Sequence, residues 1–125
     1  MKKSEFKNSF IELLSNNIDN LNYDEKIHFI KKILTEYEIE KDKTDRTPVN
    51  KGQPWNDHQL ELILSLPATK KNCLKFAKIF GRGYGSIEQI YRWASPPKNQ
   101  LTKERLNDAF IQQIMRVKRN LELRN

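Results

Sequence analysis

The sequence predicts an all-α protein. Three observations carry that prediction. Apolar residues recur at helical spacing in every long segment, the breaks between segments fall at Asn, Gly and Pro, and nothing reads convincingly as a strand. The expected architecture is a central three-helix bundle of helix-turn-helix type. An N-terminal helical hairpin precedes it and a long C-terminal helix follows.

Each element has its own signal. Residues 4–15 read as a short helix with Phe6, Phe10, Leu13 and Leu14 at helical spacing and Ser4 as the cap. Asn16, Asn17, Asp19 and Asn20 break it. Residues 23–40 read as a second helix, with Ile27, Ile30, Ile33, Leu34 and Tyr37 as its stripe and Asp24 and Glu25 at its positive end. The two stripes allow a hairpin spanning residues 1–40. Residues 41–54 are polar, with two prolines, one glycine and Val49 as the one apolar side chain. They read as a linker, with an ordered loop packed on the next domain as the alternative.

The segment 55–95 reads as three short helices. The first runs from Asn56 to Ser65, turns Leu60, Ile63 and Leu64 inward, and ends before Pro67. The second starts at Thr69 and runs to Phe80, with Leu74, Ala77, Phe76 and Phe80 inward and a break at Gly81 and Gly83. The third starts at Ser86 as its cap and runs to Ala94, with Ile87, Ile90, Tyr91 and Ala94 as the stripe. Residues 102–122 read as one long helix capped by Thr102. Its seam of Leu106, Phe110, Ile114, Val117 and Leu121 is close to the 3.5-residue period of a coiled coil. Packing of that seam within the chain is the leading expectation, and pairing with a second subunit the alternative.

Composition narrows the function. The 125 residues are 37% hydrophobic and 31% charged, which allows one modest core and argues against a large catalytic α/β domain. No apolar run is long enough to span a membrane, and Glu5, Asn8 and Glu12 interrupt any signal-peptide segment. A cytoplasmic protein without a membrane role is the expectation. The single Cys73 excludes an internal disulfide and a multi-thiolate zinc site, and reads as a small core residue. His28 and His58 lie apart, and no HExxH, CxxC or Walker-type GxxxxGK occurs. The carboxylates of residues 36–45 alternate with lysines and read as a solvated surface. We therefore expect no enzyme, no cofactor and no metal.

The formal charge of +7 is unevenly spread. Residues 1–50 carry nine Lys/Arg against ten Asp/Glu, whereas residues 51–100 carry eight against three and residues 101–125 six against three. A basic half of this kind points to a polyanion, most often nucleic acid. In the third central helix Glu88, Gln89 and Arg92 lie off the apolar stripe. Gln and Arg are the side chains that read adenine and guanine edges bidentately. Lys70, Lys71, Lys75, Lys78 and Arg82 surround that helix as phosphate contacts. Trp93, beside the stripe, is expected to pack against the final helix.

This segment resembles the Myb/SANT-like trihelical family. Trp55 opens the first helix and Asp57, Leu60 and Glu61 follow. Phe76 and Ala77 match the aliphatic–Ala pair of the second helix, Gly81 and Arg82 the turn, and Ile87 and Tyr91 the core positions of the third. Cys73 or Leu74 stands where the family has its second aromatic, and Gly83-Tyr84-Gly85 makes a flexible turn. The resemblance implies duplex DNA binding with the third helix in the major groove. Arg82, Tyr84, Ser86, Gln89 and Arg92 become the expected groove and backbone contacts, with Tyr84 exposed between its glycines. Lys70, Lys71, Lys75 and Lys78 become the phosphate contacts. The expected function is a small bacterial, phage or mobile-element regulator of transcription that binds double-stranded DNA. A homodimer would form through the N-terminal hairpin or the C-terminal helix. The alternative is a phage-type protein-binding adaptor or inhibitor of a host enzyme with no DNA-binding role, which fits the size, the helical make-up and the lack of a catalytic motif.

Overall fold

A computed structural model describes residues 1–124, and Asn125 lies outside the described residues. The chain is all-α, as expected. The described residues hold α1 (Lys3–Leu14), α2 (Tyr23–Asp45), α3 (Asp57–Leu64), α4 (Lys70–Phe80), α5 (Tyr84–Ala94), a 3-10 turn at Lys98–Gln100, α6 (Lys103–Leu106) and α7 (Ala109–Arg124). They divide into two compact units, Met1–Leu34 and Thr35–Asn125.

In the first unit α1 and the start of α2 form where expected, but they do not close a core. Leu14, Ile18, Ile27 and Ile30 are half-buried around the turn, where Lys26 Nζ donates to the Asn16 carbonyl at 2.7 Å. The rest of both stripes is exposed, with no buried residue in α1. Ser4 is not the cap. The helix starts one residue earlier, and Glu5 Oε2 accepts from the Lys2 N–H at 3.3 Å.

The second unit is organised by its caps. Asn56 Oδ1 accepts from Gln59 N–H while Gln59 Oε1 accepts from Asn56 N–H, a reciprocal box that starts α3. Thr69 Oγ1 accepts from Asn72 N–H at 3.0 Å and starts α4. Gly81 ends α4 at φ +64°, and a Cβ there would lie 2.7 Å from Val49 Cγ2, so glycine is required. The third central helix begins earlier than expected. Gly83 is its N-cap, Ser86 sits in the first turn with its N–H on the Gly83 carbonyl, and Tyr84 belongs to the helix.

The core joins α3, α4, α5 and α7. Leu60, Ile63, Ile87, Ile90, Ile114 and Val117 are fully buried, with Cys73, Leu74, Phe76, Ala77 and Trp93 around them. Each large aliphatic side chain buried this way contributes about 1.5–3 kcal/mol. The seam of the final helix thus packs within the chain. That helix is broken, however: α6 ends at Leu106, and Asp108 Oδ1 accepts from Ile111 N–H at 3.0 Å to start α7. Leu106 stays 43% exposed on the far side of the break. Side-chain bonds from α7 lock it in place, among them a two-pronged pair from Arg116 to the Asp57 carboxylate. Gln113 Nε2 donates to the Trp55 carbonyl and to Asp57 Oδ1, and Lys118 Nζ donates to the Ala94 carbonyl and Ser95 Oγ at the end of α5.

The segment expected as a linker is part of this unit. α2 runs on to Asp45, and buried Asp42 accepts from Arg46 and from the Tyr84 N–H. Asn50 N–H donates to the Gly81 carbonyl and Asn50 Nδ2 to the Phe80 carbonyl, each at 2.8 Å. A polar, proline-bearing stretch reads as a linker because its bonds go to backbone carbonyls remote in sequence, which leave no local pattern.

Candidate nucleic-acid interface

α4 and α5 are joined by three residues, Gly81 to Gly83, in the connection of a helix-turn-helix unit. α5 buries Tyr84, Ile87, Ile90, Trp93 and Ala94. Its remaining face is polar and exposed: Gly85, Ser86, Glu88, Gln89 and Arg92. Gln89 and Arg92 are three residues apart and so share one side of the helix. Arg92 Nη2 lies 3.5 Å from Glu88 Oε1, a solvent-exposed pair of little energetic weight that a stronger acceptor can displace.

Two of the expected contacts are interior residues. Arg82 is only 5% exposed. Its Nη1 and Nη2 donate to the Gln53 and Pro54 carbonyls, and its guanidinium lies over the Trp55 ring, 4.1 Å from the centroid. Its own carbonyl accepts from Arg46 Nη2, and burial pulls its pKa down. Tyr84 is 7% exposed, and burial pushes its phenol up. The glycines beside Tyr84 suggested exposure, but α5 starts at Tyr84 and turns its ring inward. Both residues shape the turn rather than offer themselves to a ligand.

The lysines of α4 are exposed, as expected, but two are engaged. Lys78 Nζ donates to Glu38 Oε2 at 2.8 Å, and Lys70 Nζ stands 4.0 Å from Glu36 Oε1. Lys70 shares a groove of about 390 Å³ with Glu36 and Glu40 of α2 and Gly85 and Glu88 of α5. Lys71 and Lys75 are exposed and pair with no carboxylate among the described residues. The acidic run of α2, expected as a free solvated surface, is therefore a neighbour of the basic helix. The available signal was the clustering of Glu36, Glu38 and Glu40 ahead of a basic half.

Other groups have structural roles. Tyr91 Oη donates toward the Ile63 and Leu66 carbonyls at 2.6 and 3.2 Å, closing the end of α3, and burial pushes its pKa up to about 12. Trp93 is buried in the core cluster that includes Ile111, Ile114 and Val117 of α7, and Arg105 of α6 lies over its ring at 4.7 Å. Cys73 is buried, which raises its thiol pKa and keeps it a thiol. His28 is exposed. Among the described residues no group of three or more His, Cys, Asp or Glu gathers to hold a metal, and no helix is long and apolar enough to cross a membrane.

These features define a small all-α protein built around a helix–turn–helix connection. The chain belongs to the family described as "Uncharacterised protein PM1205 C-terminal domain", which matches residues 49–125. It is 99% identical over 125 residues to "Uncharacterized protein PM1205" of Pasteurella multocida (strain Pm70), with 100% of both chains covered. No solved structure matches it.

Proposed function

We propose that the protein binds duplex DNA through the exposed face of α5, in the manner of a Myb/SANT-like domain, and serves as a small cytoplasmic regulator. One observation carries this reading. α5 follows a three-residue turn, buries one stripe, and keeps Ser86, Gln89 and Arg92 outside. Gln89 and Arg92 supply base-edge contacts, and Ser86 a phosphate or sugar contact near the helix start. Lys71 and Lys75 hold phosphates directly. Lys70 and Lys78 join them by exchanging Glu36 and Glu38 for phosphate oxygens. Arg82 and Tyr84 support the reading helix from behind. The charge of the basic half favours this over a neutral docking module.

The test is selection of random duplex DNA by the full chain, followed by salt titration on the enriched sequences. Enrichment of a short motif, with affinity falling steeply as salt rises, is the expected result. Absence of any DNA retention at low salt overturns the reading and favours a protein partner for the same basic face.

A further inference from the structure

Residues Met1–Leu34 contain no buried side chain. Phe6, Phe10, Ile11 and Leu13 of α1 and Phe29 and Ile33 of α2 are each between 42% and 67% exposed. Phe6 and Phe10 stack on each other, with ring centroids 6.1 Å apart, and otherwise leave their faces to water. α1 has only 12 residues. An isolated helix of that length is marginal in water, so its helicity has to come from packing of its apolar face.

We propose that this surface is a self-association interface, and that two copies of the chain pair through α1 and the first half of α2. Three observations select a second copy as the occupant. The other apolar seam able to pair subunits is spent: Ile111, Ile114 and Val117 of α7 lie in the core of their own chain. The area also suffices. With large apolar side chains carrying about 150–250 Å² each and roughly half of that exposed here, the six offer on the order of 600 Å² per copy, so that a pair reaches the lower end of the roughly 1,200–2,000 Å² that specific interfaces bury. Charge agrees as well. Residues 1–34 hold six lysines against five carboxylates, interleaved along both helices, whereas the rest of the chain carries +6 of the total +7. The apolar patch therefore lies on a part of the chain that two copies can bring together without strong repulsion. Such a pair is isologous, each copy presenting the same patch.

This inference does not rest on DNA binding and is tested without DNA. Sedimentation equilibrium of the full chain across a concentration series is expected to give twice the chain mass. The double variant Phe6→Ser/Phe10→Ser is expected to raise the dissociation constant at least tenfold. Its thermal unfolding in a dilute, monomeric sample should not change, because both rings are already about half exposed or more in the single chain. Ile33→Ser, on α2, is expected to weaken the dimer in the same direction should the α1 variant lose helix. A wild-type chain that stays monomeric up to about 1 mM overturns the proposal. So does a dimer whose dissociation constant is unmoved by both variants.

Discussion

The guanidinium of Arg82 lies 4.1 Å from the centroid of the Trp55 indole ring, and its two terminal nitrogens donate to the carbonyls on either side of the Gln53–Pro54 bond. One arginine thus ties the segment entering α3 to the turn between α4 and α5. Only a planar cation with a forked set of donors satisfies both carbonyls while stacking on the ring.

Arg82→Ala is therefore expected to destabilise the second unit by about 3 kcal/mol, since buried charge-assisted bonds and a stacking contact are lost together. Arg82→Lys keeps the charge and loses the fork, and should destabilise in the same direction. Urea unfolding followed by tryptophan fluorescence measures both. An unchanged midpoint for the alanine variant would remove the structural role assigned to this residue.

Gln89→Ala and Arg92→Ala are expected to behave in the opposite way. Both side chains are exposed, so helix content and unfolding midpoint should hold. Affinity for a selected sequence should fall by about 1–3 kcal/mol for each lost bidentate contact, with little change for unrelated DNA. Titration of matched and scrambled duplexes separates the two effects.

Glu38→Gln is expected to strengthen DNA binding. The Glu38 carboxylate occupies Lys78 Nζ at 2.8 Å, and its removal frees that cation for a phosphate. The slope of log affinity against log salt should steepen by about one unit of its charge count. A variant with weaker binding would instead mean that the pair holds α4 in position.

Tyr91→Phe is expected to cost about 1–2 kcal/mol, because it strips the shared donor from the Ile63 and Leu66 carbonyls while the ring still fills its place. Truncation to Ala should cost more, roughly 3–5 kcal/mol, by opening a cavity. Comparing the two in denaturant separates the hydroxyl from the packing.

Acid should loosen the junction between α3 and α7. Hydrogen bonds from Arg116 and then Gln113 hold the Asp57 carboxyl at about 2, below its ordinary 3.8. A lowered folded-state pKa stabilises above the unfolded value and is lost as pH falls through the folded one. The contribution is thus complete above about 4 and fades toward 2. Asp42 is shifted the same way, chiefly by its bond from Arg46. The gap in urea midpoint between the wild type and Asp57→Asn should therefore narrow between pH 6 and pH 2. A gap constant over that range would mean that Arg116 and Gln113 do not act through the charge of Asp57.

Much of the fold was legible because local chemistry controls it. Asn56, Thr69 and Thr102 were readable as starts since an Asn or Thr ahead of an apolar period accepts a backbone N–H of the first turn. The stripes Leu60/Ile63 and Ile87/Ile90/Ala94 were readable since helical period alone sets which side chains share a face. Of the proposed site, Gln89, Arg92, Lys71 and Lys75 follow from the same periodicity, as residues left over on the polar side.

Tertiary structure decided the rest, wherever a polar group found a partner far along the chain. Arg82 and Tyr84 look like surface residues of a glycine-flanked turn, and became interior because Gln53, Pro54, Trp55 and Asp42 arrive from other segments. The stretch 41–54 looks like a linker; its start continues α2, and the rest became a strap because Asn50 reaches the carbonyls of Phe80 and Gly81. The final helix looks continuous by its seam, and its break is the local exception, a cap in which Asp108 accepts the Ile111 N–H three residues on. Sequence by itself determined where the helices lie, to within a turn at several ends, and which stripe each offers for burial. Which stripes find cover within the chain was decided in three dimensions: the stripe of α7 did, and that of α1 did not. Apolar burial has no direction and depends only on what neighbouring elements bring within reach.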